Sequence, residues 1–236
     1  MLTVYKFVGD WGLPDLSPFV IKLETWLRMA GIAYRTQVGN PGQGPKQKLP
    51  YVEDDGRIVA DSTLIIEHLA RTRGVDLDAD LGPRERALAT AVQAMLEEHH
   101  YFIIMYVRWC PDAGMATYRP TMLRYCGEAG IPAEHHDAAI AAARVSLGGQ
   151  AHAQGIARHS DEEIMAIGKR HWTAVSTLLG DRPFFLGDRP TTIDATVYAF
   201  LVSTIAAPFD NPSKAHALAQ PNLVAYAERM RAAYWA

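Results

Sequence analysis

Two short runs carry residues arranged to hold an extended peptide. The first is Lys48-Leu49-Pro50-Tyr51-Val52, where a proline stands at the point a strand should begin. Proline donates no N–H, so it is tolerated at a strand's first residue or edge. A cis Leu49–Pro50 bond would bend the chain there and turn the Leu49 N–H and C=O outward, ready to pair with a peptide. Taken alone, Pro50 could equally close the preceding loop. The second run is Asp61-Ser62, where a helix should open. A helix N-terminus presents free N–H groups and a partial positive charge, which suits a carboxylate. The Ser62 hydroxyl adds a donor, and the Asp61 carboxylate can hold an ammonium group. Plain capping by Asp or Ser would use the same residues. Residues 46–69 are therefore expected to form a short-peptide site with a preference for a free amino-acid end.

The surrounding pattern supplies the elements that position these runs. Leu2 to Val8 is a short β-rich run. Pro18 to Met29 has helical spacing, with Phe19, Leu23, Trp26 and Leu27 near one face; Ser17 can cap it and Pro18 suits its first position. Gly31 is a plausible stop. Ala33 to Val38 reads as a strand, and Asn40 to Lys48 as a Gly/Pro-rich loop. Tyr51-Val52-Glu53 and Ile58-Val59-Ala60 flank Asp54-Asp55-Gly56-Arg57, a hairpin signal. Thr63 to Arg71 is helical, with Leu64, Ile65 and Leu69 inward and Glu67 outward. The order is β-α-β-β-β-α. From residue 84 strand signals vanish, and helical stretches follow at 84–109, 116–129, 133–154, 160–179, 192–206 and 220–234. The turn-rich run from Arg73 to Pro83 reads as a linker. The expectation is an α/β domain over residues 1–75 and an all-α domain over 84–236.

Composition narrows the function classes. The 236 residues carry 23 Lys+Arg against 26 Asp+Glu, scattered without a basic stripe, so nucleic acid is not an expected partner. Two cysteines, Cys110 and Cys126, suggest a reducing compartment. No apolar run is long enough to span a bilayer, and the N-terminus lacks a signal-peptide layout; a cytoplasmic protein is expected. Glu97-Glu98-His99-His100 and His135-His136 invite a metal reading. Neighbours on a helix point about 100° apart, so neither pair converges easily on one ion, and no metal site is expected.

The run K-L-P-Y-V-E-D-D-G-R-I-V-A-D-S-T-L-I-I-E-H-L resembles the glutathione-binding segment of the glutathione S-transferase superfamily. The resemblance implies a thioredoxin-like N-terminal domain and a helical C-terminal domain, with glutathione as co-substrate. It implies that Leu49 holds the cysteinyl backbone, that Asp61 and Ser62 hold the γ-glutamyl end, and that Lys48 and Pro50 complete the set. The core K-L-E-T-x-L-R-M-A-G-I looks most like the metaxin and failed-axon-connections branch, including bacterial relatives. In Phe185-Leu-Gly-Asp-Arg-Pro-Thr-Thr-Ile-Asp-Ala-Thr, Thr191 can cap a helix while Asp194 reaches back to its N–H, a structural box in this superfamily.

The chemistry implied is conjugation of the glutathione thiolate to a small hydrophobic electrophile. A helix N-terminus or a hydroxyl donor stabilises the anion. Ser17 stands where family members place a catalytic Ser or Cys; N-capping alone would also account for it. Ser17-Pro18-Phe19-Val20 replaces the Cys-x-x-Cys of redox relatives, which argues against dithiol chemistry. Tyr5 is a less well placed hydroxyl. Trp11 is expected to wall the site, and Tyr106, Arg108 and Trp109 to line the second-substrate pocket, with core packing the competing reading for each. The alternatives are a non-catalytic binding or assembly module of metaxin type, or glutathione-dependent dehalogenase, isomerase or peroxidase chemistry. Two-fold dimers prevail in the superfamily, so a homodimer is expected.

Overall fold

The computed structural model describes residues 1–235. A four-stranded sheet has the order β2-β1-β3-β4. Strand β1 (Leu2–Lys6) runs parallel to β2 (Tyr34–Val38), in register from Leu2↔Tyr34 to Lys6↔Val38. Strand β3 (Tyr51–Asp54) is antiparallel to β1 and forms a hairpin with β4 (Arg57–Ala60). The hairpin turn has Asp55 at φ 50° and Gly56 at φ 84°. Two consecutive positive φ angles match the strands' twist, and Asp-Gly adopts them readily.

Helices α1 (Pro18–Met29) and α2 (Ser62–Arg73) cover one face of the sheet. Leu2, Val4 and Val52 meet Leu23, Trp26, Leu27, Ile65 and Leu69 there. The period-2 alternation of β1 puts Tyr5 on the other face, where its ring stacks on Tyr51 at 4.4 Å. Leu64, expected inward, is 45% exposed, and His68 takes the inward position. The expected strand–helix order holds, with a single 3₁₀ turn at Pro41–Gln43 between β2 and β3.

The rest of the chain is helical. The predicted helix 84–109 is interrupted: α3 (Pro83–Ala94) passes through a π-helical segment, Met95–His100, into α4 (Tyr101–Trp109). Then come α5 (Asp112–Glu128), α6 (His136–Gln154), α7 (Asp161–Leu179), α8 (Thr192–Ile205), α9 (Pro212–Leu218) and α10 (Pro221–Tyr234). Helix α9 has no counterpart in the sequence reading; its seven residues are too few for a periodic signal. Helix α8 is buried on nearly every side and packs against α1. Its start follows the expected box. The Thr191 N–H donates to Asp194 Oδ2 at 2.8 Å, and the Phe185 N–H to Oδ1 at 2.8 Å. The Tyr226 hydroxyl also donates to Asp194 Oδ1 at 3.0 Å.

Candidate functional site

Ser17 begins α1 in an extended conformation, and its carbonyl accepts from the N–H groups of Val20 and Ile21, each at 3.1 Å. Its hydroxyl makes no capping bond, contrary to expectation. The side chain is half-buried at the helix N-terminus with its hydroxyl uncommitted. The preceding loop is pinned along its main chain. The Leu16 N–H donates to Val8 O at 3.1 Å. Lys6 Nζ donates to Pro14 O at 2.8 Å, Arg108 Nη1 to Leu16 O at 2.6 Å, and the Ser17 N–H to Asp15 Oδ1 at 2.8 Å. Burial pushes the Asp15 carboxyl well above the usual range, with Lys6 opposing. None of this was anticipated: Lys6 and Arg108 reach the loop only through folding, whereas the Asp15 turn onto the Ser17 N–H is a local signal that the sequence reading did not use.

The Leu49–Pro50 peptide bond is cis. Pairing of β1 with β3 ends at Tyr5↔Tyr51, so the buried Leu49 lies just outside the ladder. Gly44 is required beside it: a Cβ there would lie 2.8 Å from Lys48 O and 2.9 Å from the Tyr51 ring. Lys48 itself is exposed. Asp61 has φ 85° and ψ 124°, a conformation costly for a residue with a Cβ, and such outliers concentrate at functional sites. Its Oδ1 accepts from Thr63 N at 3.0 Å and Leu64 N at 3.2 Å. One carboxylate oxygen thus caps α2, and only the other is open to an ammonium group. Ser62 is buried at the first position of α2. Tyr5, the alternative hydroxyl, donates to Glu53 at 3.3 Å.

A buried network supports the start of α2. Lys22 Nζ donates to Thr63 Oγ1 at 2.7 Å and to Glu97 Oε1 at 2.6 Å. Gln93 Nε2 donates to the same Thr63 oxygen at 2.9 Å and to Glu97 Oε2 at 3.2 Å, and the Thr196 hydroxyl reaches Glu97 Oε1 at 3.4 Å. The network joins α1, α2, α3, the π-helical segment and α8. Lys22 precedes Trp26 by four residues and so shares its buried face, a signal for a buried partner that the sequence reading did not use.

Three of the four residues expected at the second substrate come together. Trp11 packs against Tyr118 at 5.7 Å and Phe209 at 5.3 Å, and Trp109 against Tyr118 at 5.0 Å. The Arg108 guanidinium lies within this group of rings. Tyr118 and Phe209 were not identified from sequence, since their helix and loop gave no cue to their neighbours. Tyr106 stands apart. Its hydroxyl bonds to the Asp161 carboxylate on the wall of a cavity of about 560 Å³ between α4, α5, α7 and residues 208–212, which Phe209 also lines. Burial pushes the Cys110 and Cys126 thiols up. Among the described residues, no group of three or more His, Cys, Asp or Glu side chains is arranged to hold a metal ion, and no helix is long and apolar enough to cross a membrane.

Comparison with known proteins agrees with this geometry. Residues 18–114 match the model of the glutathione S-transferase N-terminal domain, and residues 168–230 that of the glutathione S-transferase C-terminal domain. The chain is 38% identical over 240 residues to an isoprene-epoxide–glutathione S-transferase of Rhodococcus sp. (strain AD45), covering 99% of both chains. It is 32% identical over 243 residues to failed axon connections of Drosophila melanogaster, covering 98% of this chain and 57% of that protein. A metaxin-1 homolog of Caenorhabditis briggsae is 27% identical over 99% of this chain and 74% of its own length. Among solved structures, a beta-etherase of Sphingobium sp. strain SYK-6 superposes with a TM-score of 0.61 at 16% identity, over 98% of this chain and 95% of that one. A delta-class glutathione transferase of Nilaparvata lugens gives 0.57 at 14% identity, over 99% and 90%. The fold is that of the glutathione transferases, and the chain belongs to the glutathione S-transferase family. Its expected activity, transfer of glutathione to a small hydrophobic electrophile, is the activity of that family.

Proposed function

We propose that the chain joins glutathione to a small apolar epoxide. The thiolate sulfur attacks a ring carbon, the carbon–oxygen bond opens, and the oxygen takes a proton from solvent. The observation that carries this reading is the full-length similarity to the isoprene-epoxide transferase. The geometry supports it through a free Ser17 hydroxyl at the N-terminus of α1, poised to donate to the sulfur. In this reading the Leu49 main chain pairs with the cysteinyl backbone beside Pro50, and Lys48 stands at the same edge. Ser62 and the open Asp61 oxygen take the γ-glutamyl carboxylate and ammonium. Trp11, Arg108 and Trp109 wall the second substrate, with Tyr106 on the outer cavity.

The test is conjugation of glutathione to a panel of short terminal epoxides, comparing the wild type with Ser17→Ala. Turnover that falls at least roughly tenfold in the variant supports the assignment, since one hydrogen bond to a developing anion contributes on that scale. Equal rates in the two proteins would remove Ser17. The similarity to failed axon connections and to a metaxin-1 homolog goes with a second reading, a non-catalytic binding or assembly module of metaxin type; thermal stabilisation by glutathione with no product from any epoxide would select it. A two-fold dimer goes with the proposal, because Ile58 on β4 and Leu64 on α2 leave large apolar side chains open on the same domain; solution mass tests this. So does a cytoplasmic location, where glutathione is abundant and both cysteines stay free.

A further inference from the structure

Arg108 is a buried cation on α4. Nη1 donates to Leu16 O at 2.6 Å and Nη2 to Ser203 O at 3.5 Å. The rings of Trp11, Tyr118 and Phe209 surround its guanidinium carbon at 5.7, 5.7 and 5.8 Å. Among the described residues no carboxylate forms an ion pair with it. The other charged groups of the neighbourhood balance each other. Lys6 of β1 pairs with Glu24 of α1 at 2.6 Å. Asp10, at the far end of the loop, pairs with Arg124 of α5 at 3.1 Å. Asp15, on the loop itself, lies 3.9 Å from the same Lys6, and burial raises its pKa. Tyr101, Tyr118 and Tyr125 keep their protons, because burial raises each phenol. His100, which lines a small recess together with Arg108, is held neutral by burial.

Arg108 is thus a buried cation without a carboxylate partner among the described residues, bonded to the carbonyl immediately before Ser17. Burying an unpaired charge is costly, and carbonyl dipoles and ring faces compensate it only in part. An anion placed at Ser17 would be its counter-ion in a region of low dielectric, where the attraction is strong. We propose that Arg108 is a positioning residue for this reaction: through the Leu16 carbonyl it presets Ser17, and its charge, unpaired by any carboxylate, favours the thiolate of glutathione bound there. This rests on the glutathione-transfer reading above. The thiol proton leaves to solvent, and no other group is consumed.

The experiment follows the ultraviolet absorbance of bound thiolate against pH in wild type, Arg108→Gln, Arg108→Lys and Ser17→Ala. Affinity for S-methylglutathione, which has no ionisable thiol, is the control. Arg108→Gln keeps a donor for Leu16 O but loses the charge. It should raise the pKa of the bound thiol by about one unit, roughly a tenfold loss of thiolate, with S-methylglutathione affinity within about twofold. Arg108→Lys should stay near the wild type. An unchanged thiol pKa in an Arg108→Gln protein that still binds S-methylglutathione would overturn the proposal. Should that variant not fold, Ser17→Ala decides. It retains Arg108, so its bound thiol must still ionise below free glutathione, and equality with free glutathione refutes the role. A wild-type protein that binds no S-methylglutathione would remove the glutathione reading, and this inference with it.

Discussion

Acidification should weaken this fold through a buried imidazole group at the π-helical segment. His100 Nδ1 lies 3.2 Å from His171 Nδ1, the His99 ring packs on His171 at 4.8 Å, and the His100 ring on Trp172 at 4.5 Å. Burial pulls the His171 pKa from 6.5 down to about 4, with repulsion from His99 and Arg170 adding to the effect. His100 is displaced in the same direction, well below its ordinary value, again by burial. The folded state therefore binds fewer protons than the unfolded chain between pH 4 and 6.5, and stability must fall as the pH drops through that window. Each unit of displacement corresponds to about 1.4 kcal/mol, so His171 alone removes about 2 kcal/mol between pH 7 and pH 5, and about 3 kcal/mol once both states are protonated. The assay is urea unfolding of wild type and His171→Gln at both pH values. Glutamine cannot titrate but can still hydrogen-bond to His100. The difference between the two proteins isolates His171, because carboxylates that titrate in the same range cancel. Wild type should lose about 2 kcal/mol more than the variant between pH 7 and pH 5. Parallel losses in the two proteins would refute the reasoning.

Other outcomes follow from individual contacts. Glu97→Ala leaves the Lys22 ammonium buried without its carboxylate and should cost about 3–5 kcal/mol by chemical denaturation, with glutathione affinity falling as the start of α2 loosens. Asp194→Ala strands the buried N–H groups of Thr191 and Phe185, while the Tyr226 hydroxyl keeps the Asp194 main-chain carbonyl; a loss of about 3 kcal/mol is expected, read as a lowered melting temperature. Gly114→Ala would place a Cβ 2.1 Å from the Val107 carbonyl oxygen, and the displacement of α5 against α4 should cost about 1–3 kcal/mol. Asp15 has its folded pKa raised by burial, so its stabilising contribution is complete at acid pH and is lost as the pH rises. The stability of Asp15→Asn should therefore gain on wild type as the pH rises, and a gap that widens the other way would contradict the upward shift of the Asp15 carboxyl.

The elements of the sheet half were legible because their signals are local. Asp55-Gly56 between two alternating runs specifies the hairpin, Ser17-Pro18 and Gly31 bracket α1, and Asp61-Ser62 marks the start of α2. What failed was anything decided by a partner far along the chain. Ser17 looked like an N-cap, yet its hydroxyl makes no capping bond, while the chain before it is held by Arg108, 92 positions from Leu16. Leu64 looked inward by its apolar character, whereas His68 is drawn inside by Asp54 at 3.0 Å. Arg108 read as one more residue of an apolar, aromatic stretch. Its meaning depends on the Leu16 carbonyl, 92 positions away, and no pattern in α4 points there.

The helical half shows the same limit in a form that bears on substrate choice. The two family-domain matches end at residue 114 and resume at residue 168, so most of α5 and all of α6 lie between them. This hairpin is fastened to the loop that carries Trp11 and leads into Ser17. The Thr121 hydroxyl bonds to the Asp10 carboxylate and Arg124 Nη2 to Gly9 O at 2.7 Å, while the Tyr125 hydroxyl ties α5 to the end of β2 through Gly39 O at 2.9 Å. Tyr118, on the same face of α5, completes the rings around Arg108. A segment outside the shared scaffold thus supplies a wall of the region next to Ser17. Arg108 and Trp109 lie in the first matched segment and Phe209 in the second, so both segments and α5 together supply the rings gathered beside Ser17.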